Sequence, residues 1–191
     1  MLLFMEEITT RPQRVDAAAA RLRAPDHVLM TAQIGPGMNR LLRASLHATA
    51  PTPRLGPDAD IAQVQPRILH PRARGETLPD AAAGGIVTRR WFILPRDDVD
   101  ELIEISTRAW LGWEADTTGQ PYGLWRDARD TPEGAAQVML MTHYPSLNAW
   151  EQSRYWKPSA EAQARRAEWG ALFARRRAML LDTWVEVWGV S

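Results

Sequence analysis

The sequence contains no cysteine, and this absence removes several classes of site at once. Without a thiol there is no disulfide, no thiolate-bound metal and no cysteine nucleophile. Excess charge of either sign is also missing, because 23 Lys and Arg side chains balance 23 Asp and Glu side chains. A dedicated nucleic-acid or anionic-membrane binder usually carries a strongly basic field. We therefore expect no nucleic-acid and no membrane partner.

Long apolar runs are absent as well, since none approaches the roughly 18 residues that a membrane span needs. The N-terminal MLLFMEEITT meets two glutamates too early for a secretory signal, so we expect a cytoplasmic, unprocessed protein. Aromatic residues are scarce before residue 86, where Phe4 stands alone, whereas all nine tryptophans lie between Trp91 and Trp188. The 191 residues suit one domain or two very small ones, and the halves are expected to have different tasks.

The second half has the pattern of alternating strands and helices. Four segments have the β-branched and aromatic content of strands: VTRRWFIL, YGLWR, QVMLMTHY and TWVEVW. ELIEISTRAW has apolar residues at helical spacing, and Ser146 can cap a second helix over LNAWEQSRYW. Pro158 interrupts that helix, and Ser159 opens a further one. The order strand, helix, strand, strand, helix, strand predicts a ferredoxin-like module.

The first half repeats this plan imperfectly. Residues 4–10 resemble the first strand, VDAAAARLRA the first helix, residues 27–34 the QVMLMTHY strand, MNRLLRASLHA the second helix and ADIAQVQPRIL the closing strand. On this alignment the second strand is missing. The sequence thus predicts an α+β protein of two tandem ferredoxin-like modules, the first one degenerate, whose antiparallel sheets pack as a pseudo-dimeric α/β barrel. The predicted divisions are 1–72, a linker at 73–85 and 86–191; the alternative is two unrelated α+β segments.

Alternation within the strands predicts which side chains enter the barrel. The aliphatic sets belong against the helices, which leaves six residues facing inward with either Arg89 or Arg90: Met139, Met141, His143, Trp184, Glu186 and Trp188. Imidazole titrates near neutral pH, and a carboxylate in apolar surroundings can take up a proton, so His143 and Glu186 are the catalytic candidates. The alternative is a structural histidine, a Glu186–arginine pair and tryptophans that fill a core.

The other candidate residues would bind a substrate. A tryptophan-lined cavity with a few polar groups is typical of small-molecule sites, and an arginine beside an aromatic wall can hold a carboxylate. The substrate-binding candidates are Arg90, Trp125, Arg126, Met139, Met141, Tyr144, Trp184 and Trp188. Packing of Trp125 and a surface position for Arg126 are the alternative. The tryptophans of the helices, and Trp150 with Arg154, are interpreted as packing between helix and sheet.

The segments RRWFILPRDDVDELIEISTRAW, GLWR and LMTHYPSLNAWEQSR resemble the NIPSNAP type of dimeric α/β barrel protein over residues 87–191. The resemblance implies a small-molecule enzyme or binder acting on a hydrophobic or aromatic metabolite. Its chemistry would be cofactor-independent proton transfer, isomerisation, cyclisation or monooxygenation. The alternative is a non-catalytic binding or interaction protein with a filled core. The sequence does not decide whether the protein is an enzyme, nor whether it is a monomer or a homodimer.

Cofactor motifs do not occur in the sequence. It contains no phosphate-binding glycine loop, no dinucleotide fingerprint and no HExxH motif. The four histidines are too dispersed to predict a metal site from spacing. We therefore expect no metal and no cofactor, with haem as a secondary alternative because a single histidine can ligate it.

Overall fold

A computed structural model describes residues 1–154 and 160–190, which form eight strands, four helices and two short 3-10 turns. The strands are β1 (Leu2–Thr10), β2 (Val28–Ile34), β3 (Arg40–His47), β4 (Ile61–Arg74), β5 (Ile86–Leu94), β6 (Gln120–Asp127), β7 (Ala136–Tyr144) and β8 (Asp182–Val190). The helices are α1 (Val15–Leu22), α2 (Val99–Asp116), α3 (Leu147–Gln152) and α4 (Ala160–Ala178).

The strands close into one antiparallel barrel in the order β1-β3-β2-β8-β5-β7-β6-β4. The first half contributes β4-β1-β3-β2 and the second half β8-β5-β7-β6, so both halves have the same internal order. This is the strand arrangement of a ferredoxin-like module. Two seams join the halves, β2 against β8 and β4 against β6. The predicted pseudo-dimeric α/β barrel is confirmed.

The N-terminal half differs from the alignment made on the sequence. The segment aligned with the second helix contains strand β3 instead, so the missing element is the second helix and not the second strand. Gly35, with φ of +99°, lies in the tight turn between β2 and β3. Leu42 and Ala44 on β3 point into the barrel core, although the leucine spacing also fits a helix face. The positional counterpart of β7 is therefore β3, not residues 27–34.

The described helices cover the outer face of the barrel. Helix α1 packs its alanines on Ile8, Leu29 and Leu41, and α2 packs on Phe92 and Leu140. The predicted cap of α3 is confirmed, because Ser146 Oγ accepts a hydrogen bond of 3.1 Å from the Ala149 amide. The predicted helix break at Pro158 and start at Ser159 lie outside the described residues. Within the described ranges, every helix is too short or too polar to span a bilayer.

Candidate functional site in the cavity between sheet and helices

The interior of the barrel is filled by side chains. Trp91, Met139, Met141 and Trp188 point inward from the second half, and each is 1% exposed or less. They form one cluster with apolar side chains of the first half, which include Leu3, Met5, Met30 and Leu42. The inward direction predicted for Met139, Met141 and Trp188 is confirmed. The chamber expected between the two sheets is wrong, because large side chains from both halves meet there and pack as a core.

Arg89 and Glu186 meet inside the barrel as an ion pair. Arg89 is 1% exposed, and its Nε and Nη2 donate to one carboxylate oxygen of Glu186 at 2.8 and 2.5 Å. Glu7 of β1 supplies a second carboxylate 3.0 Å from Arg89 Nη2. The guanidinium also lies 5.2 Å from the centre of the Trp188 ring. These contacts favour a structural role for Glu186, whose catalytic role stays a prediction.

His143 lies on the inner side of β7, at the opposite end from Trp184. Its Nε2 is 2.8 Å from the carbonyl oxygen of Gly84, and its ring meets that of Tyr122 edge-on, with centroids 6.4 Å apart. His143 is paired with Val87, whereas Glu186 is paired with Arg89 one inward position further along β5. The two catalytic candidates therefore face the same interior, but each is held by its own structural partner.

The backbone at Gly85 is tightly confined beside His143. Its φ is +81°, and a Cβ there would lie 2.5 Å from the carbonyl oxygen of Tyr144. We expect Gly85→Ala to lower the free energy of unfolding by about 2–3 kcal/mol, because left-handed strain and a backbone clash add. Urea unfolding measures this change. Gly134→Ala is the matched control, since Gly134 has φ of +84° with its nearest neighbour 3.9 Å from a Cβ; equal losses for the two variants would contradict the clash.

The remaining candidates are separated by the barrel wall. Trp125 is fully buried in the inner core, and Trp184 stacks on Trp91 at the barrel end with ring centroids 6.0 Å apart. Arg126 points outward and pairs with Asp130 at 2.8 Å. Arg90 and Tyr144 line a different space, on the outer face of the sheet. The sequence left open whether Arg89 or Arg90 enters the barrel; Arg89 lies inside and Arg90 outside, because successive residues of β5 point to opposite faces of the sheet.

This outer space is a cavity of about 420 Å³ between the second-half sheet and its helices. Its floor is formed by the outward residues of β5, β7 and β8: Thr88, Arg90, Phe92, Leu140, Thr142, Tyr144 and Thr183. Its walls carry four tryptophans of the helices: Trp110, Trp113, Trp150 and Trp169. Arg165 and Trp169 of α4 donate to the carboxylate of Asp116 on α2 at 2.7 and 3.0 Å, which ties the two helices together. Aromatic walls with a few polar groups suit a small-molecule ligand.

Polar groups enter this cavity mainly from arginine and tyrosine. Burial raises the pKa of the Tyr144 hydroxyl, while a hydrogen bond with Ser153 and the charges of Arg90 and Arg154 partly offset that effect. Tyr144 is therefore a neutral hydrogen-bond donor at physiological pH. Burial lowers the pKa of Arg90, and the nearby charges of Arg154 and Arg177 lower it further. The floor of the cavity thus presents a hydroxyl beside guanidinium groups.

Several cavity residues were not among the sequence candidates. Trp150 and Arg154 were interpreted as packing residues, and Arg176 and Arg177 belong to a run of three arginines near the end of α4. A signal was present in α4, where Arg166, Trp169, Phe173 and Arg176 follow spacings of three, four and three residues. Such spacing places one face of a helix toward a common neighbour. A helix face that carries both arginine and aromatic residues indicates a ligand-binding site more strongly than a face with only one of these residue types.

No protein-family model matches the sequence, and no curated protein matches it at a significant level. Solved structures do match. An anthrone oxidase-like protein superposes with a TM-score of 0.64 at 13% identity, covering 100% of this chain and 91% of that protein. A putative monooxygenase from Fusobacterium nucleatum gives a TM-score of 0.57 at 6% identity, covering 99% and 91%.

A third structure is LmHde, a heme-degrading enzyme from Listeria monocytogenes, with a TM-score of 0.51 at 10% identity, covering 97% of this chain and 98% of that protein. At such low identities the likeness shows the fold alone. The chain therefore shares the ferredoxin-like, dimeric α/β barrel architecture of monooxygenase-like proteins. The NIPSNAP resemblance remains a prediction.

Haem does not fit the cavity as its residues stand. Haem iron is held by histidine, cysteine, methionine or tyrosine, and of these only Tyr144 occurs among the described lining residues. Burial raises the pKa of its hydroxyl, which disfavours the tyrosinate that would bind iron. The histidine of the second half, His143, lies on the other face of the sheet with Nε2 against the Gly84 carbonyl. Across the described residues, no group of three or more His, Asp or Glu side chains is arranged to hold a metal ion.

Proposed function

We propose that the protein is a small-molecule enzyme or binder that acts on a hydrophobic aromatic metabolite in the cavity between the second-half sheet and its helices. The observation that carries the proposal is the cavity itself, about 420 Å³ in volume and walled by four tryptophans, with the Tyr144 hydroxyl on its floor. Aromatic faces bind flat rings by stacking and by burial of apolar area. The polar groups of the floor would orient an oxygen substituent on the ring.

The reaction we favour is cofactor-independent oxygenation of a carbon acid. In an anthrone, transfer of a proton from the methylene carbon to water gives an enolate whose negative charge lies on the ketone oxygen, and the proton returns in the water that forms with the product. Arg90, Arg154 and the Tyr144 hydroxyl are placed to stabilise such an oxyanion, because fixed positive groups in a partly dry site favour the ionised form. Molecular oxygen then converts the methylene to a carbonyl, and the second oxygen atom leaves as water. The names of two structural neighbours, anthrone oxidase-like and putative monooxygenase, agree with this class.

The alternative is a binding protein that catalyses no reaction. The packed core of the barrel favours this alternative, because the interior leaves no room for a substrate. In that case the outer cavity would hold a ligand that is carried or sensed. Binding of a ring compound without oxygen consumption would be its experimental mark.

Anthrone is the probe for the proposed function. We expect it to quench the fluorescence of the wall tryptophans on titration, and to be converted to anthraquinone with consumption of one oxygen molecule per product. Trp169→Ala is expected to weaken anthrone binding about tenfold, because the stacking wall on α4 is lost. Fluorescence titration and an oxygen electrode measure the two effects.

Two variants control this experiment. Trp169→Phe keeps an aromatic ring in the wall while it loses some volume and the hydrogen bond to Asp116, so it is expected to retain more of the affinity than Trp169→Ala does. Leu111→Ala changes a side chain of α2 that is 75% exposed and lies outside the cavity lining, so anthrone binding should be unaltered. If the folded protein shows no saturable quenching by anthrone, or if Trp169→Ala binds it as well as the parent chain does, the cavity is not the site.

A further inference from the structure

The lining of the sheet–helix cavity carries positive charge that the lining itself does not balance. Arg90, Arg154, Arg176 and Arg177 face it, and the described lining residues contain no Asp or Glu. Arg154 and Arg177 are exposed at its mouth, whereas Arg90 and Arg176 are only partly exposed. The barrel core shows the usual arrangement, because the buried Arg89 has the carboxylates of both Glu7 and Glu186 within 3.0 Å. Charges withdrawn from water are normally paired in this way.

Arg176 is the most enclosed of the cavity arginines. Its Nη1 donates to Ser106 Oγ at 3.1 Å, and its guanidinium packs over Phe92 and Phe173 at 4.9 and 4.5 Å from the ring centres. These neighbours are neutral, so they orient the group without cancelling its charge. Burial, together with the charges of Arg90 and Arg177, lowers the pKa of Arg176 to about 9. At neutral pH the side chain still carries a full positive charge.

Arg90 approaches the same space from the sheet. It stands on β5 between Thr88 and Phe92, which also line the cavity floor. Within residues 1–154 and 160–190, no carboxylate lies within ion-pair distance of Arg90, Arg176 or Arg177. Two like charges from different elements, one on a strand and one on a helix, are thus held together without an anion of the protein between them.

The dipole of α4 does not account for this arrangement. Basic residues in the last turn of a helix interact favourably with its C-terminal carbonyl groups, which suits Arg175 and Arg177. That reasoning does not reach Arg90, which belongs to a strand and points at the same cavity. A helix-end cation can also remain in solvent, as Arg175 does while it pairs with Glu101. Arginines from a strand and from a helix therefore meet at one aromatic cavity, and a negatively charged ligand would balance their charge.

We infer that the ligand of this cavity is a flat hydrophobic acid, whose ring system lies between the tryptophan walls and whose carboxylate is held by Arg90 and Arg176. Guanidinium groups match carboxylate oxygens in geometry and charge, and a partly enclosed site strengthens the interaction. The inference rests on the proposed function, since it names the substrate class of the same cavity. It adds that the acid group, not the ring alone, determines affinity.

The test compares an anthracene carboxylate with the anthracene carboxamide of the same ring position, using the full chain. The two probes have nearly the same shape and differ in charge. We expect the carboxylate to bind at least about tenfold more tightly, because charge-assisted hydrogen bonds are stronger than neutral ones. Its affinity should also fall as sodium chloride is raised, while that of the carboxamide should not. Tryptophan fluorescence titration measures both dissociation constants.

Variants then locate the carboxylate. Arg176→Gln and Arg90→Gln are each expected to weaken carboxylate binding about tenfold and to change carboxamide binding less than twofold. Arg175→Gln is the matched control, because it removes the same charge from the same turn of α4 while its side chain pairs with Glu101 away from the cavity. It should leave both dissociation constants within twofold. In the ligand-free protein Arg90→Gln should also raise the melting temperature by about 2 °C, because it relieves repulsion among the arginines.

Each outcome has a distinct meaning. Equal affinity for the carboxylate and the carboxamide overturns the inference and leaves the proposed function standing, since the cavity then takes neutral rings. Failure of both probes and of anthrone to bind overturns the proposed function itself. If one arginine variant does not fold, the other variant and the salt dependence of the parent chain still decide. Equal loss of carboxylate binding in Arg175→Gln would show a general field effect and would also overturn the assignment.

Discussion

Arg89→Ala is expected to lower the free energy of unfolding by about 3–5 kcal/mol, the range measured when one partner of a buried ion pair is removed. Arg89 is 1% exposed, and Glu7 and Glu186 each lie within 3.0 Å of its Nη2. Without the guanidinium, Glu186 keeps no ion-pair partner among the described residues, and Glu7 keeps only Arg67, whose Nε lies 3.3 Å from its carboxylate. The loss also removes a side chain that packs over the rings of Trp91 and Trp188. Urea unfolding at neutral pH measures the change.

Two further variants isolate the cause of that loss. Adding Glu186→Gln to Arg89→Ala removes the carboxylate that was left without a cation and should recover part of the stability, so that the two substitutions are not additive. Arg108→Ala on α2 breaks a solvent-exposed pair with Glu104 and is expected to cost less than about 0.5 kcal/mol. A loss in Arg89→Ala no larger than that of Arg108→Ala would show that the pair does not support the core.

Trp125→Ala is expected to cost about 3–5 kcal/mol of unfolding free energy, because it opens a large hole in the packed barrel interior. Trp125 is fully buried in the core cluster. Its indole fits because two glycines face it; a Cβ at Gly123 would lie 2.8 Å from Cη2 of the ring, and one at Gly75 would lie 3.0 Å from Nε1. The neighbouring backbone is thus shaped around this side chain. Thermal and urea unfolding check the result.

Trp125→Phe is the informative companion. The buried Nε1 of Trp125 finds no hydrogen-bond partner among the described residues, so phenylalanine removes an unsatisfied donor together with some volume. We expect a loss of about 1–2 kcal/mol, clearly smaller than that of alanine. In either variant, the molecules that remain folded should bind anthrone with unchanged affinity, because the Trp125 indole lies on the inner face of the sheet and the cavity on the outer face. If phenylalanine costs as much as alanine, the indole nitrogen has a partner.

The fold could be predicted from the sequence where the spacing of apolar residues within each segment agreed with the order of the segments along the chain. In the second half, the alternation of TWVEVW and QVMLMTHY and the helical stripe of ELIEISTRAW each match an element of the structure. The first half misled at residues 38–48, because a segment with leucines at positions 41, 42 and 46 fits a helix face as well as a buried strand. The turn at Gly35 was the discriminating signal, since a glycine turn between two short apolar runs is typical of a hairpin.

The candidate site was predicted less well, for a physical reason. Alternation identifies the two faces of a strand, but it does not say which face encloses empty space. Large side chains from both halves fill the interior, so the residues assigned to it form a core. The cavity arises instead where α2, α3 and α4 stand off from the sheet, a spacing set by tertiary contacts such as Trp169 on Asp116. Arg90 and Tyr144, two of the substrate-binding candidates, line this cavity, and their role in binding stays a prediction.

The closed ring of strands has a consequence for how this protein evolved and folds. A barrel assembled from two separate subunits depends on their concentration, and identical subunits must keep both halves alike. Here the partner sheet comes from the same chain, so assembly is intramolecular and dilution cannot undo it. Freed from symmetry, one half could exchange a helix for a hairpin connection and serve as scaffold, while the other kept the helices that enclose the cavity. Because the two halves belong to one chain, each can have a different role in the same barrel.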